Sequence, residues 1–339
     1  MSSSPKRVLV TGGCGFIGSH FIRLLMERHP TTEVVNLDAM TYAASEANVA
    51  EVSSDPRYTF IKGDIADAEI VKTAMEGVTH VANFAAESHV DRSIQGAVDF
   101  IRTDVLGTYV LCEAARAAGV ERFLQVSTDE VYGSIDVGSF TETHPLQPSS
   151  PYSASKAGGD LQALAYMHTF GLPVVITRGS NTYGPNQYPE KLIPLFVTNA
   201  LDGEKLPVYG DGSQIRDWIH GRDHANGILH ALLNGTPGEV YNIGGGNERT
   251  NMWITEQILE QTGASRDLIT HVEDRLGHDV RYSLDTAKAQ RELGWKPEIA
   301  FDEGLAETVE WYKSQRSWWE PIKSGEYREF YEANYAGQV

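Results

Sequence analysis

The sequence predicts an α/β protein: a doubly wound parallel sheet with a smaller second domain interleaved into its C-terminal half. Three observations carry that prediction. Short apolar runs alternate with amphipathic helical stretches through about the first 180 residues, a glycine-rich turn joins the first run to the first helix, and beyond residue 180 the chain breaks into Pro- and Gly-punctuated pieces. Strands alternating with helices signal parallel pairing, with the crossover helices covering both faces of the sheet.

Val8-Leu9-Val10 centres the first strand, placed at 7–11, and an amphipathic run to residue 28 gives the first helix, placed at 16–28. Between them stands Thr11-Gly12-Gly13-Cys14-Gly15-Phe16-Ile17-Gly18. Gly12, Gly15 and Gly18 read as G-x-x-G-x-x-G, while Gly13, Gly15 and Gly18 also satisfy G-x-G-x-x-G. Glycines at these positions permit a tight turn, close approach of backbone to a pyrophosphate, and close packing of helix on strand. The helix N-terminus then faces the phosphates, which makes the sheet Rossmann-type.

The second strand, 33–38, closes on Asp38. An acid at that point holds both ribose hydroxyls and repels a 2′-phosphate, which favours NAD over NADP. Gly63-Asp64-Ile65 ends the third strand, 58–63, where it borders the adenine. Further strands are placed at 79–85, 122–127 and 174–179, and helices at 67–76, 94–118 and 152–170. A late strand, Glu239 to Ile243, returns to the sheet. Gly12, Asp38, Asp64, Ala85 and Thr128 all fall at carboxyl ends of strands, where such sheets bind ligands. The expected division gives 1–180 with about 216–245 to the dinucleotide domain, and 181–215 with 246–339 to the second domain.

Ser127-Thr128-Asp129-Glu130-Val131-Tyr132-Gly133 places two adjacent carboxylates behind a hydroxyl at the end of a buried strand. Downstream, Ser150-Pro151-Tyr152-Ser153-Ala154-Ser155-Lys156 sets a Tyr and a Lys four apart, on one face of a helix. The ammonium is expected to lie beneath the phenol and lower its pKa, which supplies a base for a hydroxyl proton during hydride transfer. Simple alcohol oxidation needs no carboxylate pair. Two abutting carboxyls in a low dielectric share one proton and offer an acid and a base at the same pH, so the site is suited to oxidising a carbinol and then acting on the product. Taken singly, Asp129-Glu130 reads equally as a solvated loop.

Twenty-eight Lys and Arg against 46 Asp and Glu give a net charge of −18, which argues against broad nucleic-acid or anionic-membrane binding. An anionic substrate therefore needs a local basic pocket. Two cysteines, Cys14 and Cys112, offer neither a disulfide framework nor a metal cluster. Histidines such as His220 and His224 show no metal-ligand spacing, so no metal is expected. With no long apolar segment at the N-terminus or elsewhere, a cytoplasmic location is expected.

The glycine loop with Tyr-x-x-x-Lys resembles the extended short-chain dehydrogenase/reductase family, and within it the dTDP-glucose 4,6-dehydratases. The similarity rests on Ala85-Ala86-Glu87-Ser88-His89-Val90-Asp91-Arg92-Ser93, the Thr-Asp-Glu run, Pro189 to Pro194, Tyr209 to Gly212, Ile215 to Trp218 and Asp274 to Asp279. It implies that Tyr152 takes the proton from a sugar 4-hydroxyl while hydride passes to NAD, with Lys156 holding the nicotinamide ribose. It further implies that Glu130 removes the C5 proton, that protonated Asp129 releases the C6 hydroxyl as water, and that Thr128 bonds the C4 oxygen. NAD would lie against Gly12, Gly15, Phe16, Ile17 and Gly18, then Asp38, Ala39, Met40 and Thr41, then Asp64 and Ile65. Phe84, Ala85, Ala86, Thr103 and Thr182 complete that set.

For a nucleotide sugar, dTDP-glucose in the first instance, the resemblance implies Ser88, Asn181, Lys191, Leu192, Arg216 and Asn251 as contacts. Asp274, Arg275 and His278 join them, with Pro207, Val208 and Tyr209 around the base. It also implies a homodimer in which helices 94–118 and 152–170 form a four-helix bundle with their symmetry mates. Four positions depart from the family pattern: Asn83 for His, Asp104 for Asn, Thr182 for Asn and Leu276 for Pro. The remaining alternatives are a dehydratase or 4-epimerase for another nucleotide sugar such as a UDP-sugar, and a dinucleotide-binding protein without turnover.

Overall fold

The computed structural model describes residues 4–274 and 277–325, together with 327, 328, 331 and 335. Two predicted features, Arg275 and Leu276, lie outside the described residues.

Seven strands form the central sheet: β1 (Arg7–Thr11), β2 (Glu33–Asp38), β3 (Tyr58–Lys62), β4 (His80–Asn83), β5 (Arg122–Thr128), β6 (Val174–Gly179) and, from late in the chain, β10 (Val240–Ile243). Their spatial order is β10-β6-β5-β4-β1-β2-β3, every pair parallel. The order reverses at β1, between β4 and β2, and there the sheet opens a crevice at its carboxyl edge. Register brings Thr11 beside Leu37 on one side and Asn83 on the other, so three strand ends meet at one level.

Both faces are covered, which is why the strands read as near-continuous apolar runs. On one face α1 (Phe16–Arg28) and α8 (Gly221–Asn234) bury Phe21, Leu25, Ile228 and Leu232 against Val8, Val10 and Leu124. On the other, α2 (Ala68–Ala74), α5 (Thr108–Ala118) and α6 (Pro151–Phe170) bury Val71, Leu111, Ala115 and Ala163 against Leu9, Val35 and Val81.

The expected single helix over 94–118 is instead broken. A short helix, α3 (Val90–Gln95), ends at Gly96 in extended backbone; α4 (Val98–Phe100) then runs through a π-helical segment, Ile101–Gly107, into α5. Gly107, which closes that segment, packs closely: a Cβ there would stand 2.5 Å from the Ile65 side chain.

The second half builds smaller layers around its own core. A three-stranded sheet orders β11 (Glu248–Thr250), β9 (Ile215–His220) and β7 (Asn181–Tyr183), and β8 (Leu206–Tyr209) pairs with β12 (Ile269–Val272). Helices α7 (Leu192–Asp202), α9 (Asn251–Thr262), α10 (Ala287–Leu293), α11 (Phe301–Ser314) and α12 (Arg316–Lys323) accompany them. Phe196, Trp218, Ile254, Leu305, Tyr312 and Trp319 form the core here. Trp319 is fully buried there.

Candidate active site

A cleft of about 350 Å³ runs along the carboxyl edge of the large sheet. Its floor is the glycine loop. Gly12 has a φ of +66°, and a Cβ there would lie 2.8 Å from the Ala85 amide nitrogen; one on Gly18 would lie 2.4 Å from the Gly12 carbonyl oxygen. Backbone approaches this close only without side chains.

Asp38 fixes the loop from the end of β2. Its two carboxylate oxygens accept from the Cys14 and Met40 amides, each at 2.8 Å. Burial pushes the Asp38 carboxyl up, and those two amide bonds oppose the rise. Each oxygen keeps a lone pair for a ribose hydroxyl. The glycine cradle, Asp38 and the buried, unpartnered Asn181 Oδ1 in the same cleft together fit a nicotinamide dinucleotide.

The reacting groups converge from two elements. Thr128 ends β5 and caps the short 3₁₀ turn Asp129–Tyr132, accepting from the Glu130 amide at 3.3 Å. Ser150 caps α6 through a capping box with Ser153, Pro151 takes the first helical position, and Tyr152 is thereby held in the first turn. Such a cap contributes about 1 kcal/mol.

Asp129 is 2% exposed. Burial pushes its carboxyl well above the usual range, and Glu130 and Asp217 push the same way. Arg216 and a hydrogen bond with Thr128 oppose the rise. The Tyr152 phenol departs from expectation. Its pKa is raised, first by burial and then by Glu130, Asp104 and Asp129, while a hydrogen bond with Thr128 opposes the rise. The Lys156 ammonium donates to the Val126 carbonyl at 2.8 Å. Desolvation and three acids act together on the phenol, and the positive charge that a bound nicotinamide would supply acts against them.

Every predicted dinucleotide residue except Met40 lines the cleft, Thr103 and Thr182 included. Met40 contributes its amide to Asp38 and its side chain to the core. Ser88, Asn181 and Lys191 line the same cleft.

A second cavity, about 160 Å³, adjoins the first and shares Glu130, Asn181 and Lys191 with it. Leu192, Pro207, Val208, Tyr209, Arg216, Asn251 and His278 line it. Arg216 is held flat, its guanidinium 4.3 Å over the Tyr282 ring and bonded at 2.8 Å to the carbonyls of Ile215 and Asp279. Asp274 does not line this cavity. It braces the wall, accepting from Gln214 at 3.0 Å and meeting His278 Nδ1 at 2.6 Å.

Two of the departures have visible roles. Asn83 is buried and stitches three strands: it accepts from Thr11 Oγ1 at 2.5 Å and donates to Gln125 at 2.8 Å. Asp104 is buried beneath α6, where Ser155 Oγ meets its carboxyl at 2.5 Å, and burial lifts its pKa to about 6. Sequence reasoning missed Glu87, Gln187, Tyr188, Glu190 and His224 in the cleft wall. Glu87 and Glu190 sat inside quoted motifs, among other charged residues that gave them no separate signal.

A glycine loop, a strand-end acid and a Tyr–Lys pair on one cleft define a nicotinamide-dependent enzyme of the short-chain dehydrogenase/reductase class. Within that class, the profile of the GDP-mannose 4,6 dehydratase family matches residues 9–308, and the chain belongs to that family. It is 52% identical over 322 residues to a dTDP-glucose 4,6-dehydratase of Streptomyces niveus, covering 94% of this chain and 96% of that protein. The solved structure of DesIV, a dTDP-glucose 4,6-dehydratase from Streptomyces venezuelae with NAD bound, is 56% identical, covers 94% of this chain and 100% of its own, and superposes with a TM-score of 0.92. A UDP-glucose 4-epimerase of Thermotoga maritima keeps the fold at 29% identity, with a TM-score of 0.85 and coverage of 91% and 99%.

Proposed function

We propose that this enzyme converts dTDP-glucose to dTDP-4-keto-6-deoxyglucose with NAD as its cofactor, as a lyase that eliminates water. The observation that carries the reading is the convergence of Tyr152 with Glu130 and with Asp129, whose buried carboxyl is pushed up, on one cleft. An epimerase requires no such acid pair.

NAD, when bound, accepts hydride from C4 of the sugar and returns it to C6. Tyr152 takes the proton of the 4-hydroxyl, and Thr128 bonds the same oxygen. The resulting ketone acidifies C5, whose proton passes to Glu130 and is returned to C5 as hydride reaches C6. Asp129 donates its proton to the C6 hydroxyl, which leaves as water. Lys156, anchored on Val126, orients the nicotinamide ribose. Arg216 and Lys191 supply the positive charge that the pyrophosphate needs and that the chain as a whole withholds. Purified enzyme incubated with a panel of nucleoside-diphosphate glucoses, without added NAD, should lose one water mass from the dTDP sugar fastest. Preferential turnover of a UDP sugar, or no loss of water, contradicts this reading.

The enzyme is also proposed to be a homodimer. Val98, Ile101 and Tyr109 on one helical segment and Leu161 on α6 are 77%, 56%, 43% and 58% exposed, large apolar side chains that suit burial against a second copy. Val98→Asp with Leu161→Asp should convert a dimeric mass by light scattering to a monomeric one; a wild type already monomeric at micromolar concentration refutes the dimer.

A further inference from the structure

Away from the reacting groups, one cluster ties the two banks of the cleft directly to each other. Tyr42 follows Thr41 in the segment after β2, Arg92 belongs to α3, and Glu190 comes from the loop between β7 and α7. The Tyr42 hydroxyl donates to Glu190 Oε1 at 2.8 Å, and Arg92 Nε donates to Oε2 at 3.2 Å. The Arg92 guanidinium carbon also lies 3.9 Å from the centre of the Tyr42 ring, so the three side chains close a triangle. Tyr188 sets its ring edge-on to Tyr42, with centroids 5.3 Å apart.

We propose that Tyr42, Arg92 and Glu190 form a clasp across the cleft that keeps NAD bound from one turnover to the next. This rests on the proposed function, in which hydride is borrowed and returned within one cycle, so that release of the cofactor serves no step. Thr41 and Ala43, which flank Tyr42, line the cleft from one side; Tyr188 and Glu190 line it from the other. A dinucleotide that reaches from Asp38 to Lys156 must be freed past contacts joining those banks.

Burial makes these contacts effective. The Glu190 side chain is 1% exposed and both its oxygens accept from the opposite bank. Parting the banks strips a buried carboxylate of two charge-assisted hydrogen bonds and removes a cation–π contact in the same motion. An exposed ion pair would part at almost no cost. Two neighbouring contacts reinforce the line: the Lys191 ammonium bonds the Ser88 carbonyl, and His89 Nε2 lies 3.4 Å from the Glu190 carbonyl oxygen. Lys191 also faces the second cavity, so the clasp adjoins the substrate.

The test is exchange of bound NAD for isotopically labelled NAD, followed by mass spectrometry of the denatured holoenzyme. Tyr42→Phe, which removes one hydroxyl and keeps the ring, should exchange about tenfold faster than wild type. Glu190→Gln should exchange faster still. The double variant should accelerate exchange by less than the product of the two single effects, because both substitutions weaken the same Tyr42–Glu190 bond. Thermal unfolding monitored in parallel should shift far less than exchange; a merely structural contact would move both. Exchange at the wild-type rate in both single variants, or additive acceleration in the double variant, overturns the clasp while leaving the NAD assignment intact. A wild type that binds no NAD overturns both.

Discussion

The two halves of the active-site cleft are built in opposite ways. The dinucleotide half is made of backbone: Gly12 and Gly18 lie against neighbouring main chain, and Asp38 spends both oxygens on amides. All of it hangs from consecutive strand ends of one parallel sheet. The second half, proposed to take the sugar nucleotide, is made of side chains gathered from 181, 191–192, 207–209, 216, 251 and 278, on separate small layers. Backbone cradles are rigid and suit a group that stays; side-chain walls can exchange a ligand each turn. Thr128, Asp129, Glu130 and Tyr152, the proposed catalytic residues, line the first cavity, and Glu130 also lines the second, so damage on either side should leave a different signature.

Damage at the seam should be largest. Tyr152→Phe should abolish the NADH absorbance that appears when dTDP-glucose is added. Glu130→Gln should let NADH and a 4-keto-glucose intermediate accumulate while turnover falls about 10²–10⁴-fold, as for loss of a general base. Rapid-scanning absorbance distinguishes the two. Asp129→Asn should oxidise yet stall before water leaves.

Next comes the cradle. Gly12→Ala sets a methyl 2.8 Å from the Ala85 nitrogen in left-handed backbone. It should cost about 1–3 kcal/mol of stability and yield enzyme stripped of NAD, by absorbance of the denatured supernatant. On the other side, Arg216→Lys keeps the charge and loses the planar fork. It should raise KM about tenfold with NAD content unchanged, which steady-state kinetics with an NAD assay will show.

The smallest effect lies beneath α6. Burial raises the Asp104 carboxyl to about 6, with Lys156 and Ser155 opposing. An acid whose pKa is higher folded than unfolded costs nothing while protonated in both states. The penalty begins as pH rises through the unfolded pKa and is complete above about 6. Asp104→Asn should therefore raise Tm by a few degrees at pH 8 and change it little near pH 3. Since Asp104 also raises the Tyr152 phenol, the same variant should speed NADH formation at pH 8.

The contrast between the halves also decides what was legible in the sequence. Strand-end glycines and acids announce themselves by position, so the loop at Gly12 to Gly18, Asp38, Asp64 and the Tyr152–Lys156 pair could be read directly. β10 was likewise visible as a late apolar run. The sugar-nucleotide wall had no local signal: Arg216 and His278 became candidates through resemblance, since nothing in their own segments predicts their convergence. Two features escaped entirely. The π-helical segment Ile101–Gly107 leaves no periodic mark in the sequence, and its closing Gly107 packs on Ile65, which is distant in sequence. The raised Tyr152 phenol depends on burial and on three acids from two other elements, whereas the i,i+4 spacing shows only the lysine.

The central claim is that one hydride leaves C4 and returns to C6 on a cofactor that never departs. dTDP-glucose deuterated at C4, turned over with excess unlabelled NADH in solution, tests it most directly. The account predicts a product carrying the deuterium at C6, at full enrichment and independent of added NADH. Deuterium diluted by the added pool, or absent from C6, would contradict it.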